Sequence, residues 1–347
     1  MNILIVKLSA IGDVIHTLPS LAALRKRHPD AHITWAIEED SADIIAGHPC
    51  LDRAVVSRRK SWLSNLRALR DVRKTINEII SFIATLRDRR YDLVVDFHGL
   101  LKSSIVVLLS GGRRRLGYDS MQELSGLFLN DKVYEDMNKH AVDRYLDIVR
   151  HLGADTDTPE FYIHIEEETR RRVEHLLEEH GISPNDPFVS VNPVALWDTK
   201  MWEDGKFAEL CDRIVGELKL TVVFTGGRDK ETVEHIRSFM HLPSADLAGR
   251  TTLRDLAYLY ALSALVITTD TGPMHVAAAV GTPTVTLFGP TDPARTGPYG
   301  EGHTIIRRGL SCSPCFLKKC ETKRCMREIS VGDVFRAVEK KTGKNIQ

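Results

Sequence analysis

The feature that most constrains this chain is a regular alternation of short apolar runs, rich in β-branched residues, with longer stretches of helical spacing. Ile3–Leu8 is the first such run; after the turn SAIGD, residues 14–27 carry Ile15, Leu18, Leu21, Ala22 and Leu24 at helical intervals. Strand-like runs recur at Ile33–Ile37, Leu93–Asp96, Phe188–Asn192, Thr221–Thr225, Leu265–Thr268 and Thr284–Leu287, with helical segments between them. Strands of this kind, apolar on both faces, belong in parallel sheets closed by crossover helices, so the class is α/β. The series divides at a polar region running from the acidic helical segment Glu166–His180 to the turn SPNDP at 183–187, which predicts two domains, 1–180 and 181–347. No repeat of about 20–50 residues is visible, which excludes a solenoid.

The 347 residues suffice for two cores, and 43% hydrophobic with 27% charged residues is an ordinary globular balance. Forty-seven Lys and Arg offset forty-seven Asp and Glu. No global basic field draws the molecule onto nucleic acid, so any anion-binding surface is local. The start MNILIV is too short for the apolar region of a secretory signal, and 271–291 holds three prolines and three glycines, so it reads as helix, turn and strand, not a membrane span. A cytoplasmic location is expected.

Chemistry concentrates where the strands end. In KLSAIGDVIHTLP, residues 7–19, the chain passes from the first strand into the first helix, and ligands of open α/β sheets bind at such carboxyl ends. Gly12 permits a tight turn, and Asp13 either caps the helix or points into the crevice. No GxGxxG is present, so a dinucleotide fingerprint is unsupported. In TTDTGPMHVAAAVGTPTVTLFGPTDP, residues 268–293, a strand ends at Asp270, and Thr271, Gly272 and Pro273 open a small-residue helix carrying His275. Proline suits a helix start, and the unpaired N–H groups there suit a phosphate. The bland alternatives are Asp270 as a cap and His275 as a core residue.

Lys200, in NPVALWDTKMW, is a candidate diphosphate ligand or a plain surface lysine. Glu231, in FTGGRDKETV, is placed to accept from ribose hydroxyls, although Glu is also common in a helix first turn. From Arg53 to Arg90 there are 11 Lys or Arg against 3 acidic residues. Trp62, Leu66, Leu69, Ile76, Ile79, Ile83 and Leu86 keep helical spacing, with Arg67, Arg70 and Lys74 on another side and Arg58, Arg59 and Lys60 just before. This is either a solvated face or a receptor for an anionic lipid head group or nucleic acid; sparse aromatic residues disfavour single strands. Cys312, Cys315, Cys320 and Cys325 lie within 14 residues, close enough in sequence to wrap one structural zinc or to stand as free thiols.

Together, KLSAIGDVIHTLPSL, DFHGLLKS at 96–103 and the 268–293 segment resemble glycosyltransferase family nine, the ADP-heptose:lipopolysaccharide heptosyltransferases, over nearly the whole chain. The resemblance implies two Rossmann-like domains facing across a cleft, of the GT-B type, with the acceptor on the first and the nucleotide sugar on the second. It implies Asp13 as general base and a donor site of Lys200, Glu231, Asp270, Thr271, Gly272 and His275. Thr251 falls against the adenine, and Ser9, Ala10 and Gly12 near the diphosphate, Ala10 standing where some relatives carry serine. Acceptor contacts are expected from Arg58, Arg59, Lys60, Arg67, Arg70, His98, Lys102 and His140. The implied partners are ADP-heptose and the lipopolysaccharide inner core, at the cytoplasmic face of the inner membrane, with no catalytic metal required. Competing readings are an epimerase or a transferase using another nucleotide sugar, and a non-catalytic nucleotide-binding scaffold.

Overall fold

The computed structural model describes residues 1–120, 126–227 and 229–343, and the chain separates into two compact units, Met1–His164 and Ile165–Gln347. In the first, strands β1 (Asn2–Val6), β2 (His32–Glu38), β3 (Arg53–Ser57), β4 (Leu93–Asp96), β5 (Arg114–Tyr118) and β6 (Asp131–Val133) alternate with helices. These are α1 (Ile11–Arg27), α2 (Glu39–Ala42), α3 (Arg59–Arg67), α4 (Val72–Leu86), α5 (Leu101–Ser110) and α6 (Ala141–His151). The second holds β7 (Phe188–Asn192), β8 (Thr221–Phe224), β9 (Ala245–Asp246), β10 (Leu265–Thr269), β11 (Thr284–Phe288) and β12 (Thr304–Arg307). Its helices are α7 (Glu167–Glu178), α8 (Asp204–Leu218), α9 (Lys230–Phe239), α10 (Leu253–Leu262), α11 (Gly272–Ala279), α12 (Pro293–Thr296), α13 (Arg324–Arg327) and α14 (Val331–Thr342).

Each unit builds one six-stranded sheet, ordered β3-β2-β1-β4-β5-β6 in the first and β9-β8-β7-β10-β11-β12 in the second. All pairings are parallel. The two orders are the same topology, the doubly wound arrangement whose order reverses beside the first strand. The strands are apolar because helices cover both faces: in the first unit Leu4, Val6, Val94, Leu86 and Val106 share one core with Tyr91. In the second, Val189, Val191, Ile267 and Val285 pack with Trp202, Phe207 and, from α14, Val334, Phe335 and Val338.

The long strands fall where the apolar runs placed them. β3, β5, β6, β9 and β12 escaped the sequence reading because they are short or charged; β5 opens on the exposed Arg114, and β9 has two residues. The helical spacing over 62–86 does not make one helix. Leu69 and Asp71 take left-handed backbone conformations, φ 51° and 47°, and split the segment into α3 and α4. The division between units falls at His164–Ile165, not at 180, because α7 belongs to the second core. Arg172 on α7 grips Asp255 on α10 with its Nε 3.0 Å from both carboxylate oxygens, and Tyr258 donates to Glu174 at 2.7 Å.

Asp255 is fully buried, and it also accepts from the backbone N–H of Thr252 at 2.8 Å, closing the cap of α10. Asp255→Ala removes the ion pair and the cap together. We expect it to lower stability by about 2–4 kcal/mol, read as a drop in the denaturant midpoint of the second unit.

Candidate active site

In the first unit the candidate residues gather where β1, β2 and β4 end. Lys7, one residue beyond β1, is 3% exposed; its Nζ donates to the Phe97 carbonyl at 2.9 Å and to the Tyr145 hydroxyl at 2.6 Å. Asp13 lies 3.8 Å from that amine, near the Tyr145 hydroxyl. Burial pulls the Lys7 pKa below the usual amine range, with the Asp13 charge as the strongest opposing influence. Burial, then the Asp13 charge, push the Tyr145 phenol well above its ordinary value.

Asp13 sits in the first turn of α1, but its reach back to the Ala10 N–H is a long 3.4 Å, and the side chain is 42% exposed. It caps the helix weakly. Gly12 is already helical, not the turn residue expected.

Beside this trio, Lys102 Nζ meets Ser9 Oγ at 2.6 Å and Glu38 Oε1 at 3.4 Å, while Arg59 holds the same buried Glu38 oxygen at 2.9 Å. His98 is kept neutral: burial, reinforced by the Lys7 and Lys102 charges, drives its pKa far below the imidazole range. Asp96 turns inward, accepting from the His98 and Gly99 N–H groups and from Ser103, and fixes the DFHGLLKS turn. His140 is occupied otherwise: its Nδ1 accepts from Val142 N as the cap of α6 and its ring packs edge-on against His16.

The basic stretch is not uniformly free. Arg58 pairs with Glu39, Arg59 with Glu38 and Lys60 with Asp40, so the three cations expected to stand open are matched by three consecutive acids. Arg67 and Arg70 are exposed and have no acidic partner among the described residues.

In the second unit Lys200 and Asp270 meet at 2.6 Å, both largely buried, and Thr291 donates to the same Asp270 oxygen at 2.5 Å. Asp270 is therefore not a helix cap. Thr271 occupies the cap position of α11 without a side-chain bond, leaving the first turn, with Gly272 and Pro273, uncapped; His275 is buried one turn in. Lys200 also lies 4.6 Å from the centre of the Trp197 ring.

Glu231 is exposed in the first turn of α9, and Thr251 precedes the cap of α10. Their loops adjoin: a Cβ on Gly249, at φ +70°, would stand 2.3 Å from Lys230 and 3.3 Å from the Gly227 carbonyl. None of the four clustered cysteines is in a disulfide. Among the described residues no group of three or more His, Cys, Asp or Glu is arranged to hold a metal ion. Their loop instead braces the Lys200–Asp270 pair: Thr199 donates to the Leu317 carbonyl, Lys323 to Asp198, and the Cys315 and Phe316 N–H groups to the Pro290 carbonyl.

Lys7, Glu38 and Tyr145 were not singled out in the sequence. The available signals were a lysine and a glutamate closing two otherwise apolar strands.

Two doubly wound sheets, each with cations and carboxylates converging at its strand ends, place this chain among the two-unit α/β proteins. The glycosyltransferase family 9 (heptosyltransferase) model matches residues 79–326. The chain is 31% identical over 330 residues to lipopolysaccharide heptosyltransferase 1 of Pseudomonas aeruginosa, covering 92% of this chain and 87% of that one. It is similarly 31% identical over 327 residues to the Salmonella typhimurium protein of the same name, covering 90% and 95%. The crystal structure of a family 9 glycosyl transferase from Veillonella parvula superposes with a TM-score of 0.84 at 27% identity, covering 99% of this chain and 98% of that one. The chain belongs to glycosyltransferase family 9.

Folding lowers the Lys7 pKa, so the unfolded chain holds that proton more tightly. The buried charge costs stability at neutral pH, and the cost fades as pH rises through the folded pKa toward the unfolded value. Lys7→Met is expected to melt at or above the wild-type temperature while glycosyl transfer falls at least about tenfold. Paired melting curves and rates at pH 7 check this; a variant that melts lower yet turns over normally contradicts it.

Proposed function

We propose that this chain moves a heptosyl group from ADP-L-glycero-D-manno-heptose to the lipopolysaccharide inner core, Kdo–lipid A or its heptosylated form, with inversion at the anomeric carbon. The observation that carries the reading is the half-exposed Asp13 carboxylate poised beside the Lys7 amine and the Tyr145 hydroxyl. Asp13 takes the proton of the acceptor hydroxyl as its oxygen bonds the anomeric carbon. The bond to the β-phosphate breaks, and ADP leaves with the electron pair.

Leaving-group charge is met by Lys200 and by the uncapped start of α11, whose N–H groups point where a diphosphate oxygen is best stabilised. Asp270 and Thr291 hold the Lys200 amine in readiness. His275 stands beneath that turn. Glu231 serves the ribose and Thr251 the adenine, and Ser9 and Gly12 are assigned to the diphosphate. Lys102, His98, Arg67 and Arg70 serve the phosphates and sugar acids of the acceptor, with Arg59 shared with Glu38. The family description and the names of the similar proteins support heptosyl transfer. An E. coli heptosyltransferase of the same fold, at 24% identity and a TM-score of 0.78, has been solved with ADP. The reading puts the enzyme at the cytoplasmic face of the inner membrane as a peripheral protein.

Asp13→Asn is expected to keep its thermal stabilisation by ADP while transfer falls by about 10²–10⁴; near-normal transfer would defeat the assignment. ADP should stabilise the protein more than UDP or GDP does, and mass measurement on acceptors bearing zero, one or two heptoses identifies the step. Lys200→Ala is expected to weaken ADP binding by roughly 10–100-fold, through loss of a charge-assisted contact.

A further inference from the structure

We propose that the outward side of helices α3 to α5 is a docking surface for an anionic phospholipid bilayer. Along α4, Thr75 and Leu86 are buried, and Phe82 packs against the core. The opposite side carries Arg73, Ile76, Ile80 and Arg87, spaced so that all four project together. Ile76 is 46% and Ile80 58% exposed. In the turn before α4, Leu69 is 82% exposed at φ 51°, a strained backbone state for a leucine. Helix α5, packed beside α4, continues the surface with Leu101, Ile105 and Leu108, each about half exposed and all on one side with no charge between them. A soluble fold gains nothing from presenting these aliphatic side chains to water.

The cations around them complete the argument. Arg53, Arg58, Arg59, Lys60 and Arg89 all hold acidic partners. Arg67, Arg70, Arg73, Lys74 and Arg87, which frame the aliphatic residues, hold none among the described residues. In a chain with equal numbers of acids and bases, this apolar-centred face thus carries a local excess of positive charge without acidic partners among the described residues. Aliphatic side chains entering the acyl boundary while surrounding guanidinium and ammonium groups reach lipid phosphates is the chemistry of an interfacial anchor. A second copy of the chain is a poor occupant, since it would set cations against cations.

The purpose of this surface, reaching a lipid-linked acceptor, rests on the proposed function, but vesicle binding does not require transfer. Full-length protein should co-sediment with phosphatidylcholine vesicles containing phosphatidylglycerol and not with pure phosphatidylcholine. R73Q/R87Q should weaken that binding roughly 25-fold, about fivefold for each cation removed. I76N/I80N should weaken it comparably. Both pairs are exposed, so melting temperatures and transfer to detergent-dispersed acceptor should match wild type. Unchanged binding in both double variants overturns the proposal, as does wild-type binding only to vesicles that carry the acceptor. Loss of transfer in wild type with vesicle binding intact would instead sink the glycosyltransferase reading and leave the docking surface standing.

Discussion

Parallel strand pairing governs everything else in this molecule. A parallel strand sends its following loop out at the same edge as its neighbours, and where the order reverses, adjacent loops diverge and leave a crevice between them. Both sheets reverse at the equivalent place, between β1 and β4 and between β7 and β10. In each, a lysine from one side of the reversal bonds a group from the other: Lys102 meets Ser9 across the first, and Lys200 meets Asp270 across the second. The candidate chemistry thus follows from topology before any particular side chain is considered. Each sheet supplies a rigid edge, and the loops supply charge.

The two edges treat charge in opposite ways. In the first unit the lysine amine is buried while its carboxylate partner stays 42% exposed. In the second the carboxylate is sunk beneath the lysine, and a positive helix end lies beside the pair. Under the proposed function, the first arrangement serves a base and the second an anionic leaving group. Neither depends on raw affinity. Both hold charge in place before substrate arrives, which spares the reorganisation that solvent would otherwise require.

What the sequence disclosed and what it hid follow from the range of the interactions involved. The long central strands were legible because burial on both faces leaves a continuous apolar run, and the loops after them could be located by their punctuation. Asp13, Lys200 and Asp270 were singled out as candidates for that reason. Lys7 was passed over because its role depends on Tyr145, 138 residues away, and no local pattern encodes that contact. Arg58, Arg59 and Lys60 read as open charge because their partners lie on a neighbouring strand end. The register that pairs Glu38 with Ser57 brings Glu38–Asp40 alongside them, and register is a tertiary fact. The break at 68–71 was hidden because hydrophobic spacing continued through a turn that no glycine or proline marks.

The C-terminal segment shows the same dependence on distant contacts. Its cysteines suggested a metal site, and the surrounding hydrogen bonds lead to the edge where β7 and β10 end. Pro290 accepts from Cys315 and Phe316 one residue before Thr291, which holds Asp270, and Thr199 is anchored by Leu317 one residue before Lys200. Gly289 leaves room for this packing: a Cβ there would stand 2.7 Å from the Met326 sulfur and 3.2 Å from that of Cys325. Both members of the Lys200–Asp270 pair are therefore positioned from behind by a loop that follows the last strand of the sheet. Distortion of that loop would be felt at the pair before it disturbed the sheet, because the apolar core beneath α14 is held independently by Val334, Phe335 and Val338.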